Sequence, residues 1–143
     1  CTIAQFYPFD GNRGAAFAMT GPLVNMLCQN TLITGYADDE MMITTHKVLT
    51  YRFADCIIRT PKITTADSVY FTRVVYEDTE DTTHCGRKHF ARMDTHNLIY
   101  DFGLDSLSSA IGRANRLTAL PHDRQGRRRD DHPDIGAYEY FKP

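Results

Sequence analysis

The sequence predicts an all-β fold wound as a parallel β-helix, and three observations carry that prediction. Thr, Val and Ile are plentiful beside 8 Tyr and 8 Phe in 143 residues, with no Trp; such β-branched and aromatic side chains suit a pleated, half-buried surface. Apolar residues come in short runs bounded by Gly, Pro, Asp and Asn, the pattern of many short strands. The third observation is an internal repeat, the signature of a solenoid whose units bury their inward faces only when stacked.

The repeat sets Leu23–Ile33 over Val48–Ile58 at a constant offset of 25. Under it Leu23 falls on Val48, Val24 on Leu49, Met26 on Tyr51, Cys28 on Phe53 and Ile33 on Ile58; the same offset places Phe17 over Met42. Cys1–Ile3 resembles Cys56–Ile58, with Thr31–Ile33 between them at spacings of 30 and 25, the longer step absorbed by the Asp10–Gly14 loop. Stacking then puts Ile3, Ile33 and Ile58 in one interior column, with Cys1, Thr31 and Cys56 in the next. The competing reading is a β-sandwich with accidental similarity between two strands. Leu104, Leu107, Ala110, Ile111 and Ala114 have helix-like spacing in a short segment, read as a turn or loop with one buried side. The organisation expected is coils over 1–76, a polar loop or insertion over 77–97, and a last coil with a C-terminal cap over 98–143.

Charge and hydropathy narrow the partners. A formal net charge of −2 gives no field to steer nucleic acid. No apolar run reaches the ~20 residues of a membrane span, and no secretory signal is present. The chain opens at Cys1 without Met, so it is expected to be part of a longer polypeptide with further coils upstream.

The most specific motifs stand near the C-terminus. Asp101-Phe-Gly-Leu104 is followed by Ser108-Ser-Ala-Ile-Gly112, then Asp123-Arg-Gln-Gly126, Arg129, and Asp134-Ile-Gly-Ala-Tyr-Glu-Tyr140. This series resembles the closing module of bacterial right-handed parallel β-helix proteins, the choice-of-anchor Q group of the pectate-lyase-like superfold. Cys1–Asp10 and Gly35-Tyr-Ala-Asp-Asp39 are also similar to surface β-helix proteins of gut Bacteroidetes. Ser109 stands where the group has proline, and Gly112-Arg-Ala114 where it has Asp-Ala-Gly. The resemblance implies a right-handed β-helix, export to the cell surface or beyond, and contact with polysaccharide. Physically, Pro121 and Asp123–Gly126 supply turn chemistry. Ile135, Ala137 and the tyrosines read as a final strand over the last coil, covering its open edges. Arg129 is expected to pair with Glu139 or Asp134.

Candidate sites follow from residue chemistry. Gly35–Glu40 places adjacent carboxylates at a turn, where Asp38 and Asp39 could bind Ca²⁺; the alternative is a polar turn between coils. In pectate-lyase-like enzymes acidic side chains hold Ca²⁺ and a basic residue abstracts the proton, a role for which Arg59, one coil on from Thr34, is the candidate. Phe6, Tyr7 and Tyr36 are available to stack on sugar rings. His84, Cys85, His89 and His96 have spacings a zinc site could use, but their polar neighbours suggest a solvated loop. Cys1, Cys28 and Cys56 fit buried strand positions, and spacing alone assigns no disulfide. Arg124 and Arg127–Arg129 are flanked by Asp123, Asp130, Asp131 and Asp134, a locally neutralised run rather than the wide basic patch of a nucleic-acid binder. His132-Pro-Asp134 matches the J-domain tripeptide but precedes a strand-like segment rather than joining helices. The expected function is a structural, glycan-contacting segment without catalysis of its own. The alternative is the groove-completing part of a polysaccharide lyase or glycoside hydrolase.

Overall fold

In the computed structural model the described residues are 1–21, 24–44, 50–61 and 70–143. They form eleven strands and one 3₁₀ turn, with no α-helix among them. The chain is all-β. Its strands are β1 (Thr2–Gln5), β2 (Phe17–Met19), β3 (Asn25–Gln29), β4 (Leu32–Gly35), β5 (Met41–Ile43), β6 (Thr50–Ala54), β7 (Ile57–Ile58), β8 (Phe71–Thr72), β9 (Val75–Tyr76), β10 (Phe90–Asp94) and β11 (Ile99–Leu104).

The first nine strands make three parallel sheets, ordered β1-β4-β7-β9, β2-β5 and β3-β6-β8. Ile3 pairs with Ile33, Ile33 with Ile58, and Ile58 with Tyr76. Met26 pairs with Tyr51 and Cys28 with Phe53. The expected Phe17–Met42 pair is corrected by one residue: Phe17 pairs with Met41 and Ala18 with Met42. The step there is 24 residues, against 25 between β3 and β6. The proposed alignment of Leu23 with Val48 and of Val24 with Leu49 involves positions outside the described residues.

Each passage from the third sheet to the first turns on a residue in left-handed conformation. Asn30, Asp55 and Arg73 have φ of 48°, 55° and 51°, and stand just before β4, β7 and β9. Asn and Asp tolerate this region better than most residues. Beyond the corners, Ile33, Met41, Phe53, Cys56 and Ile58 form one core. In it Phe53 stacks on Phe71 with centroids 5.2 Å apart.

A second core covers the opposite face of the first sheet. Phe6, Leu32 and Ile57 meet Phe90, Leu104, Ala110 and Ile135. Both faces of the sheet are therefore dry, which is why Leu32-Ile33 of β4 and Ile57-Ile58 of β7 are apolar in succession rather than alternating with polar residues. Fully burying each such side chain is worth about 1.5–3 kcal/mol.

The C-terminal half departs from expectation in two ways and agrees with it in one. The 77–97 segment is not simply a polar loop: it holds the 3₁₀ turn Gly86–His89 and strand β10, which pairs antiparallel with β11. Residues 105–114 form turns that bury Ala110 and leave Leu107 exposed, as a one-sided loop would. Residues 133–143 do not form a strand. Ile135 N donates to Ala110 O, Gly136 N to Asn30 O, and Ala137 N to Thr2 Oγ1. The closing run thus lies across the outer face of β1 and β4, at the first circuit rather than the last. Its backbone bonds to side chains and loop carbonyls in place of a strand edge.

Candidate functional site

The best-defined cluster of chemistry lies where the first sheet meets the 3₁₀ turn. Arg59 N donates to Ile33 O and Glu77 N to Ile58 O, so the ladder continues one residue past β7 and β9. Thr34, Arg59 and Glu77 consequently form a polar row beside the apolar row of Leu32 and Ile57. The sheet alone would leave Glu77 facing solvent; the turn over it removes the water. Gly86, at φ 60°, gives the chain the bend that brings Cys85 and His89 down onto this row.

Glu77 is the hub. Its Oε2 accepts from Thr34 Oγ1 at 3.1 Å, Arg59 Nη1 at 3.1 Å and Gly86 N at 3.3 Å. Its Oε1 accepts from His89 Nε2 at 2.7 Å. The side chains of Glu77 and His89 are both fully buried. Burial pushes the Glu77 carboxyl up, but the hydrogen bonds it accepts from His89, Arg59 and Thr34 outweigh it and hold the group below its usual range. His89 Nδ1 lies 2.8 Å from Ser108 Oγ, which accepts from Ala110 N at 3.2 Å. The hydroxyl hydrogen is thereby free to point at Nδ1. The network ties three parallel strands to the C-terminal half. All five of its side chains (Thr34, Arg59, Glu77, His89 and Ser108) are buried, so their hydrogen bonds replace those lost to water.

Beside this network is a cavity of about 220 Å³, bordered by Phe6, Tyr36, Arg59, Cys85, Arg87 and Lys88. Cys85 connects the two, half-buried at the cavity wall. Burial, with the charges of Glu77 and Asp81, raises its thiol pKa. Among the described residues, Glu77, Cys85 and His89 are the one group of three or more His, Cys, Asp or Glu whose donor atoms could share an ion, all lying within 4.8 Å of one another.

The residues singled out in the sequence are placed as follows. Arg59 is not free: Nε donates to Ala37 O at 2.9 Å, Nη1 to Glu77, and Nη2 reaches Asp38 Oδ1 at 3.5 Å. A guanidinium held this way is an anchor, not a base. Asp38 is exposed. Asp39 Oδ1 accepts from Met41 N at 3.1 Å and Thr60 Oγ1 at 2.8 Å. The carboxylate that organises the turn is Glu40, fully buried, accepting from Ala16 N and Ala37 N at 2.8 Å each.

Of the aromatic trio, Phe6 is buried and in edge contact with Tyr36 and Phe90, so its faces are closed to a sugar. Tyr36 is half-buried under the Arg13 guanidinium, 5.4 Å from its ring centre. Tyr7 is exposed and packs edge-on against the equally open Phe9. His89 is corrected from a solvated loop position to a buried one. The structure brings it together with Cys85 but not with His84, which is exposed and paired with Asp81 at 3.0 Å. All four cysteines are free, with Cys56 Sγ 3.5 Å from Cys28 O.

At the C-terminus Arg129 Nη1 meets Glu139 Oε2 at 2.7 Å. Arg129 also donates to the carbonyls of Asp134 and Gly136. The Asp134 carboxylate instead accepts from Gly112 N and Tyr140 N. In the basic run, Arg127 pairs with Asp123 at 2.9 Å.

Sequence reasoning missed Glu77 as a hub because the step from β7 to β9 is 18 residues rather than 25. The available signal was the match of Val74-Val-Tyr-Glu77 to Cys56-Ile-Ile-Arg59. No described helix is long and apolar enough to cross a membrane. Comparison with known proteins found no family model, no curated protein and no solved structure that matches this chain.

Proposed function

We propose that this chain is a structural and glycan-contacting segment of a right-handed parallel β-helix protein, of the choice-of-anchor Q kind, that works at the bacterial cell surface or outside the cell. The observation that carries the reading is the register: the chain passes through three parallel sheets in turn, and Ile3, Ile33 and Ile58 stack across β1, β4 and β7. A circuit of this kind buries its inner face only against its neighbours, which supports a scaffold role alongside further coils of the same polypeptide.

Glycan contact is supported by Tyr7 and Phe9, which follow Phe6 at the cavity edge and are 49% and 63% exposed. Open aromatic faces can stack on the apolar faces of sugar rings, while Arg87 and Lys88 nearby can take hydroxyls or carboxylates. The lyase alternative asks Arg59 to accept a proton, and its bonds to Glu77 and Ala37 favour the non-catalytic reading.

The test is a glycan array probed with the full chain and with Tyr7→Ala/Phe9→Ala. Binding to surface polysaccharides that the double variant loses supports the reading. Absence of binding across the array, or binding unchanged in the variant, overturns it.

A further inference from the structure

We propose that Glu77, Cys85 and His89 form a mononuclear zinc site whose fourth position opens on the cavity bordered by Tyr36, Arg59 and Arg87. A carboxylate oxygen, a sulfur and an imidazole nitrogen are the donors zinc takes, whereas calcium would want oxygens throughout. The proposal does not depend on the glycan reading.

The geometry favours it in three respects. The three donor atoms lie within 4.8 Å of one another. Zinc bonds of about 2.0–2.3 Å set donor separations of roughly 3.3–3.8 Å in a tetrahedral site, so Cys85 moves in by up to about an ångström while Glu77 Oε1 and His89 Nε2 part by roughly half an ångström. The atoms not needed for the metal are already held. Glu77 Oε2 takes three donors from Thr34, Arg59 and Gly86, and His89 Nδ1 faces Ser108 Oγ. Outer contacts of this kind fix the orientation of a metal's ligands and the tautomer of its histidine. What they leave for a metal is Glu77 Oε1 and His89 Nε2, which point at one another across 2.7 Å. Finally, Cys85 stands at the cavity wall, giving an entry path and room for a bound water.

The proton balance is simple. Zinc takes the place of the hydrogen between Nε2 and Oε1, and His89 shifts its proton to Nδ1, where it donates to Ser108 Oγ. Cys85 loses its thiol proton to solvent. One proton is released, and Glu77 and Cys85 neutralise the ion.

The experiment titrates chelator-treated full-length chain with Zn²⁺ and, for a spectrum, with Co²⁺. One equivalent should bind, and Co²⁺ should give a sulfur-to-cobalt charge-transfer band that Cys85→Ser abolishes. Ser108→Ala should weaken zinc roughly 10–100-fold, while His84→Ala and His96→Ala leave binding unchanged. X-ray absorption of the zinc-loaded wild type should show one sulfur at about 2.3 Å among nitrogen and oxygen near 2.0 Å, which needs no variant to fold. Less than one equivalent, a sulfur-free shell, or a band that survives Cys85→Ser would overturn the site and leave His89–Glu77 as a hydrogen-bonded pair only.

Discussion

Asn30 and Asp55 occupy the same left-handed corner in successive circuits, and a single residue, Asn115, grips both. Asn115 N donates to Asn30 Oδ1 at 2.7 Å, and its Nδ2 donates to Asp55 Oδ2 at 3.1 Å. The third corner, Arg73, joins the same line through a two-pronged bond to Asp55 at 2.6 and 2.9 Å. A corner residue at positive φ is strained unless something holds it, and here a loop 60 residues away does so. Asn115→Ala should therefore cost about 1–2 kcal/mol. The variant removes the Nδ2 bond to Asp55 and keeps the backbone bond to Asn30; the expected sign is a lower urea midpoint with an unchanged slope, and an unchanged midpoint would show that the Asp55 corner holds itself.

Gly35 and Glu40 form a second dependence. A Cβ built on Gly35 would overlap Glu40 Oε1 and lie 2.7 Å from Gln5 O. The first contact belongs to a carboxylate held by two backbone N–H groups, and the second to the neighbouring strand, so neither can yield cheaply. Gly35→Ala is expected to destabilise the chain by ~3 kcal/mol, read as a fall in thermal midpoint. Gly126→Ala is the contrasting case: its φ is 80° but nothing lies within 4 Å. Its cost should stay near 1 kcal/mol, from backbone strain alone.

These two cases show what the sequence could and could not disclose. The columns were legible because Ile3, Ile33 and Ile58 are β-branched, recur at steps of 30 and 25 residues and are separated by turn residues. Glycine and paired acids in Gly35–Glu40 marked a special turn, but drew attention to Asp38 and Asp39 rather than to Glu40. Nothing in a linear pattern says which of three adjacent carboxylates turns inward; that depends on where Ala16 N arrives from the preceding circuit. Glu77 and His89 were hidden for a related reason. Polar neighbours such as Thr82 and Thr83 do line the surface, while Glu77 is covered by the Gly86–His89 turn and His89 is bonded to Ser108, contributed from later in the chain.

Arg129 and Glu139 should couple strongly. Both side chains are almost inaccessible, and Glu139 also accepts from Asp130 N and Asp134 N. Removing either partner leaves the other charge buried, which typically costs 3–5 kcal/mol. The single variants Arg129→Met and Glu139→Gln should each approach that cost, and the double variant should lose much less than their sum. A double-mutant cycle on urea midpoints reads the difference. Additive losses would mean that Arg129 acts through the carbonyls of Asp134 and Gly136 instead.

Asp134 gives the opposite pH signature from Glu77, Asp55 and Asp123. Burial pushes its carboxyl up to about 6, and the charges of Glu139 and Asp130 add to this, against the backbone N–H groups of Tyr140 and Gly112 that favour the anion. An acid whose folded pKa is raised binds its proton more tightly folded than unfolded. Its contribution is therefore favourable at low pH and is lost as pH rises from about 4 through 6. Glu77, Asp55 and Asp123 are all held below their usual range, so theirs is lost as pH falls. In wild type the two trends oppose one another and the net profile hides both. Comparison with Asp134→Asn separates them. The substitution sacrifices one backbone hydrogen bond at every pH, since an amide offers only one acceptor to the two N–H groups. It also removes the titration. The stability of wild type relative to Asp134→Asn should fall by on the order of 2–3 kcal/mol between pH 4 and pH 7, measured as the difference between urea midpoints at each pH. A constant difference would place the Asp134 pKa near that of an ordinary carboxylate and remove the closing run as a source of pH dependence.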